Sequence, residues 1–261
     1  MRDFRNSTLK EEGTNKVFLL KHSSQAHTLH LVYEHTNTST TPKVPKDLEV
    51  KKFASRYTYS INNKSSLHAG YLNIDDNLVS TDGGKIYTIG MSHKPSQKSK
   101  VTLATYYGNY DIMKTYQFDA TISYTDKLTL FDTKVKSTSA LLSKYINITE
   151  CQQGEICSNA QSNYFTPGFS QKFSYQGNYL SLGALFGKRA FSVMQEGLKV
   201  QHHGMEFYKT AKATIGKKFG IDNKSTINCA LSYIYQEATE LPSQNSNVEV
   251  HNTVLTLGYK F

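Results

Sequence analysis

Leu255-Thr256-Leu257-Gly258-Tyr259-Lys260-Phe261 ends the chain, and large apolar residues alternate in it with small or polar ones. Successive side chains of a strand point to opposite faces, so one face carries Leu255, Leu257, Tyr259 and Phe261 and the other carries Thr256, Gly258 and Lys260. Strands of membrane-spanning barrels alternate in this way, with aromatic residues where lipid meets water. The stretch therefore predicts a lipid-facing strand, with an edge strand of a soluble sheet as the alternative.

The composition excludes membrane-spanning helices but not a membrane barrel. Mean hydropathy is −0.50 and 38% of the residues are hydrophobic, and no apolar run reaches the ~18 residues that a membrane helix needs. A barrel strand escapes this test because only every second residue faces lipid. The chain has 18 Tyr, 13 Phe and no Trp, and tyrosine suits an interface because one end is apolar and the other polar.

The net charge of +9 is spread along the 261 residues. No basic run reaches the ~5 to 8 residues of a typical polyanion patch, so we expect no nucleic acid partner. The chain starts with polar residues after Met1 and shows no secretory signal, so export requires that a signal has been removed.

Alternating segments of about 8 to 12 residues recur from residue 15 onward, joined by connections that are short and long in turn. The clearest is Tyr116–Tyr124, where an apolar row bounded by tyrosines alternates with a polar row. The segment after Asp126 is irregular because Phe131 and Val135 leave the phase of Leu128. Thirteen segments and a weaker one at 2–9 predict an all-β, antiparallel, up-and-down transmembrane barrel of 14 strands, with 12 or 16 as alternatives.

A single barrel domain is expected over residues 1–261, because this length is normal for one closed barrel. An even strand number places both chain ends on the side of the short turns. The long connections are predicted at 35–49, 75–84, 137–167, 192–204 and 237–247.

The longest predicted connection contains Cys151 and Cys157, six positions apart. Two cysteines do not complete a tetrahedral zinc site, and no histidine lies nearby. The pair therefore predicts a local disulfide formed in an oxidising compartment.

Charged residues in the lumen phase are the candidate functional groups. The predicted pore-lining residues are Arg56, His68, Asp119, Lys172, Arg189, Glu206 and Lys212, and the same phase holds His30, Glu34, Lys218 and Lys260. Charged rings in a channel set its ion preference, and this excess of basic residues predicts a weak preference for anions in a wide, wet pore. The connection at 137–167 would oppose it by folding inward with Glu150 and Glu155.

No enzymatic or metal motif is present: the chain has no Gly-x-Ser-x-Gly, no His-Glu-x-x-His and no phosphate-binding glycine loop. His202 and His203 are adjacent and would point to opposite faces of a strand. We therefore expect no catalysis, no cofactor and no metal.

The closing stretch resembles the C-terminal assembly signal of bacterial outer-membrane proteins, which implies that the barrel assembly machinery recognises Leu255, Leu257, Tyr259 and Phe261. A wider resemblance covers Leu180–Phe261 through Phe186-Gly187-Lys188-Arg189 and Val200-Gln201-His202-His203-Gly204-Met205-Glu206-Phe207. This part is similar to OprD-like outer-membrane porins of Campylobacter relatives, whose members are typically longer. The resemblance implies a passive diffusion channel for ions and small hydrophilic solutes, in contact with outer-membrane lipid.

Two other functions stay open. One is a non-conducting outer-membrane barrel whose long loops adhere to a partner. The other is a soluble all-β binding protein. Small lumen-phase residues such as Thr121 and Gly183 favour the channel, because a blocked barrel would fill that space with larger side chains. The solute and the oligomeric state are not predicted.

Overall fold

The computed structural model describes residues 1–44, 46–77, 83–130, 133–152, 154–201, 204–220 and 225–260. The first seven strands are β1 (Arg2–Arg5), β2 (Lys10–Ser24), β3 (His27–Thr40), β4 (Leu48–Ser60), β5 (Ser65–Asp76), β6 (Lys85–His93) and β7 (Ser99–Asn109). The next four are β8 (Lys114–Leu130), β9 (Thr133–Thr149), β10 (Asn163–Tyr175) and β11 (Asn178–Arg189). The last five are β12 (Val193–Met194), β13 (Lys199–Val200), β14 (Met205–Gly220), β15 (Thr226–Glu240) and β16 (Val248–Lys260).

Fourteen of these strands form one closed antiparallel barrel, in which each strand pairs with its neighbours in the chain and β1 pairs with β16. β12 and β13 form a separate two-stranded sheet between β11 and β14. The predicted fold and strand number are therefore confirmed. β1 spans only four residues, with Arg2 opposite Gly13 on one side and Asn252 on the other.

Short turns join the strands at one end and longer connections join them at the other. At Gln176-Gly177 both residues have positive φ, 45° and 81°, which two-residue hairpins need to match the twist of their strands. At the opposite end the connections run from four residues, 110–113, to fifteen, 190–204. Both described chain ends point to the short-turn end, as the even strand number predicts.

Several connections are shorter than the sequence suggested. β3 continues to Thr40 and β4 begins at Leu48, so the predicted connection 35–49 shrinks to 41–47. Thr36 and Thr38 are fully buried inside the barrel. Because the inward row is polar here, the sequence lacks the apolar alternation that predicts a strand, although threonine is common in strands.

The largest difference concerns the predicted connection 137–167. β9 extends to Thr149 and β10 begins at Asn163, so the connection is 150–162. Leu141 is exposed on the outside, and the adjacent Leu142 lines the interior. Two adjacent leucines interrupt the alternation of apolar and polar residues, so the strand was not predicted here. The predicted connections 75–84 and 237–247 likewise begin later, after Asp76 and Glu240.

The irregular segment after Asp126 has a simple cause. β8 continues to Leu130, and Leu128 pairs with Val135 across the hairpin to β9. Because Val135 belongs to the next strand, it has no reason to keep the phase of Leu128. Phe131 lies outside the described residues.

Two apolar clusters fill much of the barrel interior at the long-connection end. The larger joins residues of β3 to β7, β9 and β10 with residues of the connection after β11, and includes Val50, Leu72, Ile86, Ile146 and Phe191. The smaller joins Phe4, Met205, Phe207, Ala238, Val248 and Val250. This part of the interior is packed like a protein core, which the sequence did not predict.

The connection 150–162 contains a short helix, α1 (Glu155–Asn159), and the disulfide Cys151–Cys157, whose Cα atoms are 5.5 Å apart. The predicted disulfide is thus confirmed. Cys151 packs against the larger apolar cluster together with Ile156. Within the described ranges, no helix has the length and apolar character needed to cross a membrane.

Candidate functional site: the barrel lumen

The outer surface carries a continuous apolar belt. Exposed outward residues include Phe118 at 43%, Ile122 at 61% and Leu141 at 69%. Exposing such residues to water would be unusual on a soluble sheet, whereas lipid solvates them. The same pattern covers the outward faces of the other long strands.

Tyrosines border the belt towards the long connections. Tyr71, Tyr87, Tyr107 and Tyr116 stand side by side on β5 to β8, with ring centroids 5.4, 6.4 and 5.2 Å apart. On β8 the belt ends eight residues later at Tyr124, which is about 27 Å of strand and about 20 Å of membrane depth at the usual tilt. A closed antiparallel barrel with an apolar belt between aromatic girdles is the outer-membrane form.

The protein is an outer-membrane β-barrel.

The connection between β11 and β14 folds into the lumen. We call its described part, residues 190–201, the inward loop. β12 and β13 pair Val193 with Val200, and a 3₁₀ turn at Gln195–Gly197 forms the tip between them. For the connection predicted at 137–167, the sequence left open an inward fold that would bring Glu150 and Glu155 into the lumen. Glu150 forms an ion pair with Lys114 at the mouth, and the side chain of Glu155 is outside the description.

The base of the inward loop is firmly held. Gln117 of β8 accepts a hydrogen bond from Val193 N at 2.8 Å and donates one to Val193 O at 2.7 Å. Lys144 of β9 donates to the same carbonyl at 2.9 Å. Phe191 packs edge-on against Tyr110 at 5.6 Å and is 1% exposed. These contacts fix the loop to strands β7 to β9.

The tip reaches the opposite wall. Arg56 of β4 donates from Nη1 to Glu196 Oε2 at 2.6 Å and to Gln195 O at 3.1 Å. On β6, Thr88 is so close to Gly197 that a Cβ at this glycine would lie 2.4 Å from Thr88 Oγ1. The inward loop therefore crosses the whole lumen.

A cavity of about 500 Å³ lies beside the inward loop, against β7 to β11, β14 to β16 and β1. Its lining includes the basic residues Arg2, Lys100, Lys144, Lys199 and Lys212, and the acidic residues Asp119 and Glu196. Both acids are engaged, Asp119 with Lys144 and Glu196 with Arg56. The side chains of Lys199 and Lys212 make no hydrogen bond or ion pair with any described residue, although Glu34 lies near enough to attract the Lys199 ammonium. The cavity is therefore electropositive.

Burial affects the charge of the inward loop. Desolvation lowers the pKa of the Lys199 ammonium to about 8, and the nearby Glu34 carboxylate offsets part of that effect. Lys199 is charged at neutral pH and loses its proton in mildly alkaline solution.

The half of the lumen towards the short turns is lined by small polar residues. Hydroxyl pairs bridge neighbouring strands here: Ser92 with Thr102 at 2.9 Å, Thr125 with Thr138 at 3.0 Å and Thr214 with Ser232 at 2.8 Å. These side chains leave room for water, in contrast to the apolar clusters at the other end.

The predicted pore-lining residues lie in different parts of the barrel. Asp119 and Lys212 line the cavity, and Arg56 holds the tip. His68 is 4% exposed, next to Gly90 on β6. Lys172 lies near the short turns with Nζ 4.5 Å from the Tyr179 ring centre.

Two of the predicted charges are buried rather than presented to a passage. Arg189 is 0% exposed and donates to Gln201 Oε1 at 3.2 Å. Glu206 is 3% exposed, and Lys188 approaches its Oε1 at 2.7 Å beside the bulges of β11 and β14. Whether the predicted residues line a conducting pore stays a prediction.

Sequence reasoning missed the residues that hold the inward loop, chiefly Gln117, Lys144 and Glu196. Gln117 and Lys144 fall in the inward phase, so their direction was available from the alternation. Their partner was not, because Val193 is 76 and 49 residues away in the chain.

The closing strand presents the predicted assembly residues to the outside. Leu255, Leu257 and Tyr259 are 67%, 72% and 60% exposed. Phe261 lies outside the described residues, as do His202 and His203. Among the described residues, no group of three His, Cys, Asp or Glu is arranged to hold a metal.

No protein-family model and no curated protein matches the chain. Among solved structures, a bacterial polysaccharide outer membrane secretin is similar with a TM-score of 0.49 at 8% identity, over 95% of this chain and 80% of that one. Pseudomonas aeruginosa OccK8 (OprE) gives 0.41 at 12% identity, over 99% and 96%. Pseudomonas aeruginosa OpdQ gives 0.36 at 10%, over 99% and 94%. At TM-scores below 0.5 these similarities carry no weight for function, which must come from the barrel itself.

Proposed function

We propose that the protein is a passive diffusion channel of the bacterial outer membrane, for ions and small hydrophilic solutes with a preference for anions. The observation that carries the proposal is the electropositive cavity of about 500 Å³ inside the barrel. A barrel without a transport role would have little reason to keep the ammonium groups of Lys199 and Lys212 in its interior without a hydrogen bond or ion pair to a described residue, because desolvating an ammonium that is at best partly compensated is costly.

The charges around the cavity support the anion preference. Five basic side chains against two acidic ones leave an excess of three positive charges in the lining. The two carboxylates are already neutralised by Lys144 and Arg56. A passing anion therefore meets the ammonium groups of Lys212 and of Lys199, the second of which Glu34 offsets only in part, whereas a cation meets no uncompensated carboxylate among the described lining residues. The excess acts within about one Debye length, ~8 Å at physiological salt.

Single-channel recording in planar bilayers tests the proposal. Reversal potentials in a KCl gradient are expected to have the anion-selective sign, more strongly at low salt. Neutralising Lys199 and Lys212 together should weaken the selectivity, whereas neutralising Lys114, which pairs with Glu150 at the mouth, should change it much less. Cation selectivity at low salt contradicts the anion preference.

The second candidate is a non-conducting barrel whose long connections bind a partner. It is favoured by the apolar clusters and the inward loop, which fill the lumen towards the long connections. The same recordings separate the two, since protein that folds and inserts yet produces no conductance steps under any condition supports the second candidate.

For assembly, we infer that the outward row Leu255, Leu257 and Tyr259, completed by Phe261, is read by the barrel assembly machinery. The exposure of the first three residues supports this, because they bury little protein surface. The proposed function involves no cofactor and no catalytic step.

A further inference from the structure

We propose that the tip of the inward loop, Gln195–Gly197, is a gate, and that the ion pair between Arg56 and Glu196 is its latch. The inference rests on the proposed channel function and concerns its regulation. In the described structure the gate is docked against the wall formed by β4 to β6, and release of the latch opens the lumen.

The two parts of the inward loop are held very differently. The base has three hydrogen bonds at Val193 and buried apolar contacts through Phe191 and Leu198. The tip has the Arg56 contacts to Glu196 Oε2 and Gln195 O and the close approach of Gly197 to Thr88. Movement of the tip alone, about a fixed base, is therefore the motion that breaks the fewest contacts.

The backbone of the tip is strained by its tight turn. Gln195 and Glu196 have φ values of 53° and 54°, a left-handed conformation that residues with a Cβ adopt at a cost. Such strain persists only where surrounding contacts enforce it. Here the tight turn between β12 and β13 imposes it, and the Arg56 contacts hold that strained turn against the wall.

Several polar atoms in the wall beneath the tip lack hydrogen bonds to described residues. Arg56 Nε, His68 Nε2 and Thr88 Oγ1 are buried and have no hydrogen-bond partner among the described residues. Burying polar atoms without partners is unfavourable, and water would satisfy them once the tip departs. Docking thus depends on the latch to offset these losses.

The latch is also reachable from the cavity. The Glu196 side chain is 38% exposed and that of Arg56 is 12% exposed, and Gln195 and Glu196 line the cavity. Departure of the tip from β4 to β6 would join the cavity to the space along that wall. The expected result is a larger or more often open passage.

Cysteine labelling tests the motion without relying on conduction. Thr88→Cys places a thiol beneath the tip, whereas Thr102→Cys places one in the cavity lining as a matched control. The full refolded chain carries Cys229→Ala, and Cys151 and Cys157 are already bonded to each other. A polar maleimide should label Thr88→Cys about tenfold faster when Glu196→Gln is added, the factor for losing a charge-assisted bond.

The control thiol at position 102 should label at the same rate with and without Glu196→Gln. Equal labelling of Thr88→Cys in both backgrounds overturns the latch, whether or not the protein conducts. Glu150→Gln, which breaks the ion pair with Lys114 outside the lumen, should leave both rates unchanged.

A disulfide across the latch tests the consequence for transport. An ideal Cβ at Gly197 lies 3.0 Å from Thr88 Cβ, a separation that a small adjustment brings to the ~3.8 Å of a disulfide. Oxidised Thr88→Cys/Gly197→Cys protein should conduct less than the same variant after reduction. Reductant added to the parent protein controls for the loss of Cys151–Cys157.

The outcomes of the two proposals are distinguishable. If conductance is identical in the locked, unlocked and Glu196→Gln proteins, the gate proposal is refuted and the channel proposal is unaffected. Faster labelling at position 88 without conductance in any variant supports a mobile tip in a barrel that is not a channel, and then the proposed function fails while the latch stands.

Discussion

Lysine substitutions along β8 test the lipid-facing phase and its depth. Ala120 and Ile122 lie in the outward row with Phe118, whereas Thr121 lines the cavity. Ala120 is midway between Tyr116 and Tyr124, which border the belt, so it lies near the bilayer midplane. Ile122 lies only two residues from Tyr124, about 5 Å of membrane depth.

The expected costs follow this depth. Lysine on the lipid face costs about 2 to 4 kcal/mol at the midplane and about 0 to 1 kcal/mol near the interface. Ala120→Lys should therefore lose about 2 to 4 kcal/mol of folding free energy and Ile122→Lys about 1 to 2 kcal/mol, since its ammonium reaches the headgroups. Thr121→Lys should cost less than Ala120→Lys, because its ammonium enters the cavity instead of the lipid.

The measurement is reversible folding into lipid vesicles against urea, with the folded fraction read from heat-modifiable migration on gels. Thr125→Lys, inward and near the short turns, serves as a second lumen control. If Thr121→Lys costs as much as Ala120→Lys, the strand is buried on both faces or its register is wrong, and the barrel description of β8 fails.

Three further results are expected. Deleting Phe261 should leave the chain unassembled in the periplasm with little change in the stability of refolded protein; normal outer-membrane levels would refute the assembly signal. Replacing Cys151 and Cys157 by serine should cost about 2 kcal/mol by the chain-entropy relation for so short a loop, and the change should stay local in hydrogen exchange. Because the Lys199 pKa is lowered to about 8, its ammonium discharges as pH rises from about 7 to 9. Anion preference should fall over that range, and a Lys199→Gln variant should lack this part of the pH response.

The sequence alone determined the type of barrel. Alternation with a period of two is a local property, so Tyr116–Tyr124 and the closing strand revealed which side chains face lipid. The strand number followed from counting such segments, and the disulfide from two cysteines six residues apart. The ends of strands were harder to predict where the inward row is polar, as at Thr36 and Thr38, because the inward and outward rows then have similar residues.

Only the tertiary structure decided what occupies the lumen. The sequence of the inward loop shows no periodic pattern. Its contacts join Glu196 to Arg56, which is 140 residues away in the chain. The apolar clusters likewise combine side chains from many strands with Phe191 and Leu198 of the loop. The sequence pattern around an inward apolar residue is the same whether that residue faces water, a loop or another strand. Barrel closure therefore determines which of these it meets, and this is why the wide pore expected from the sequence is crossed by a loop in the structure.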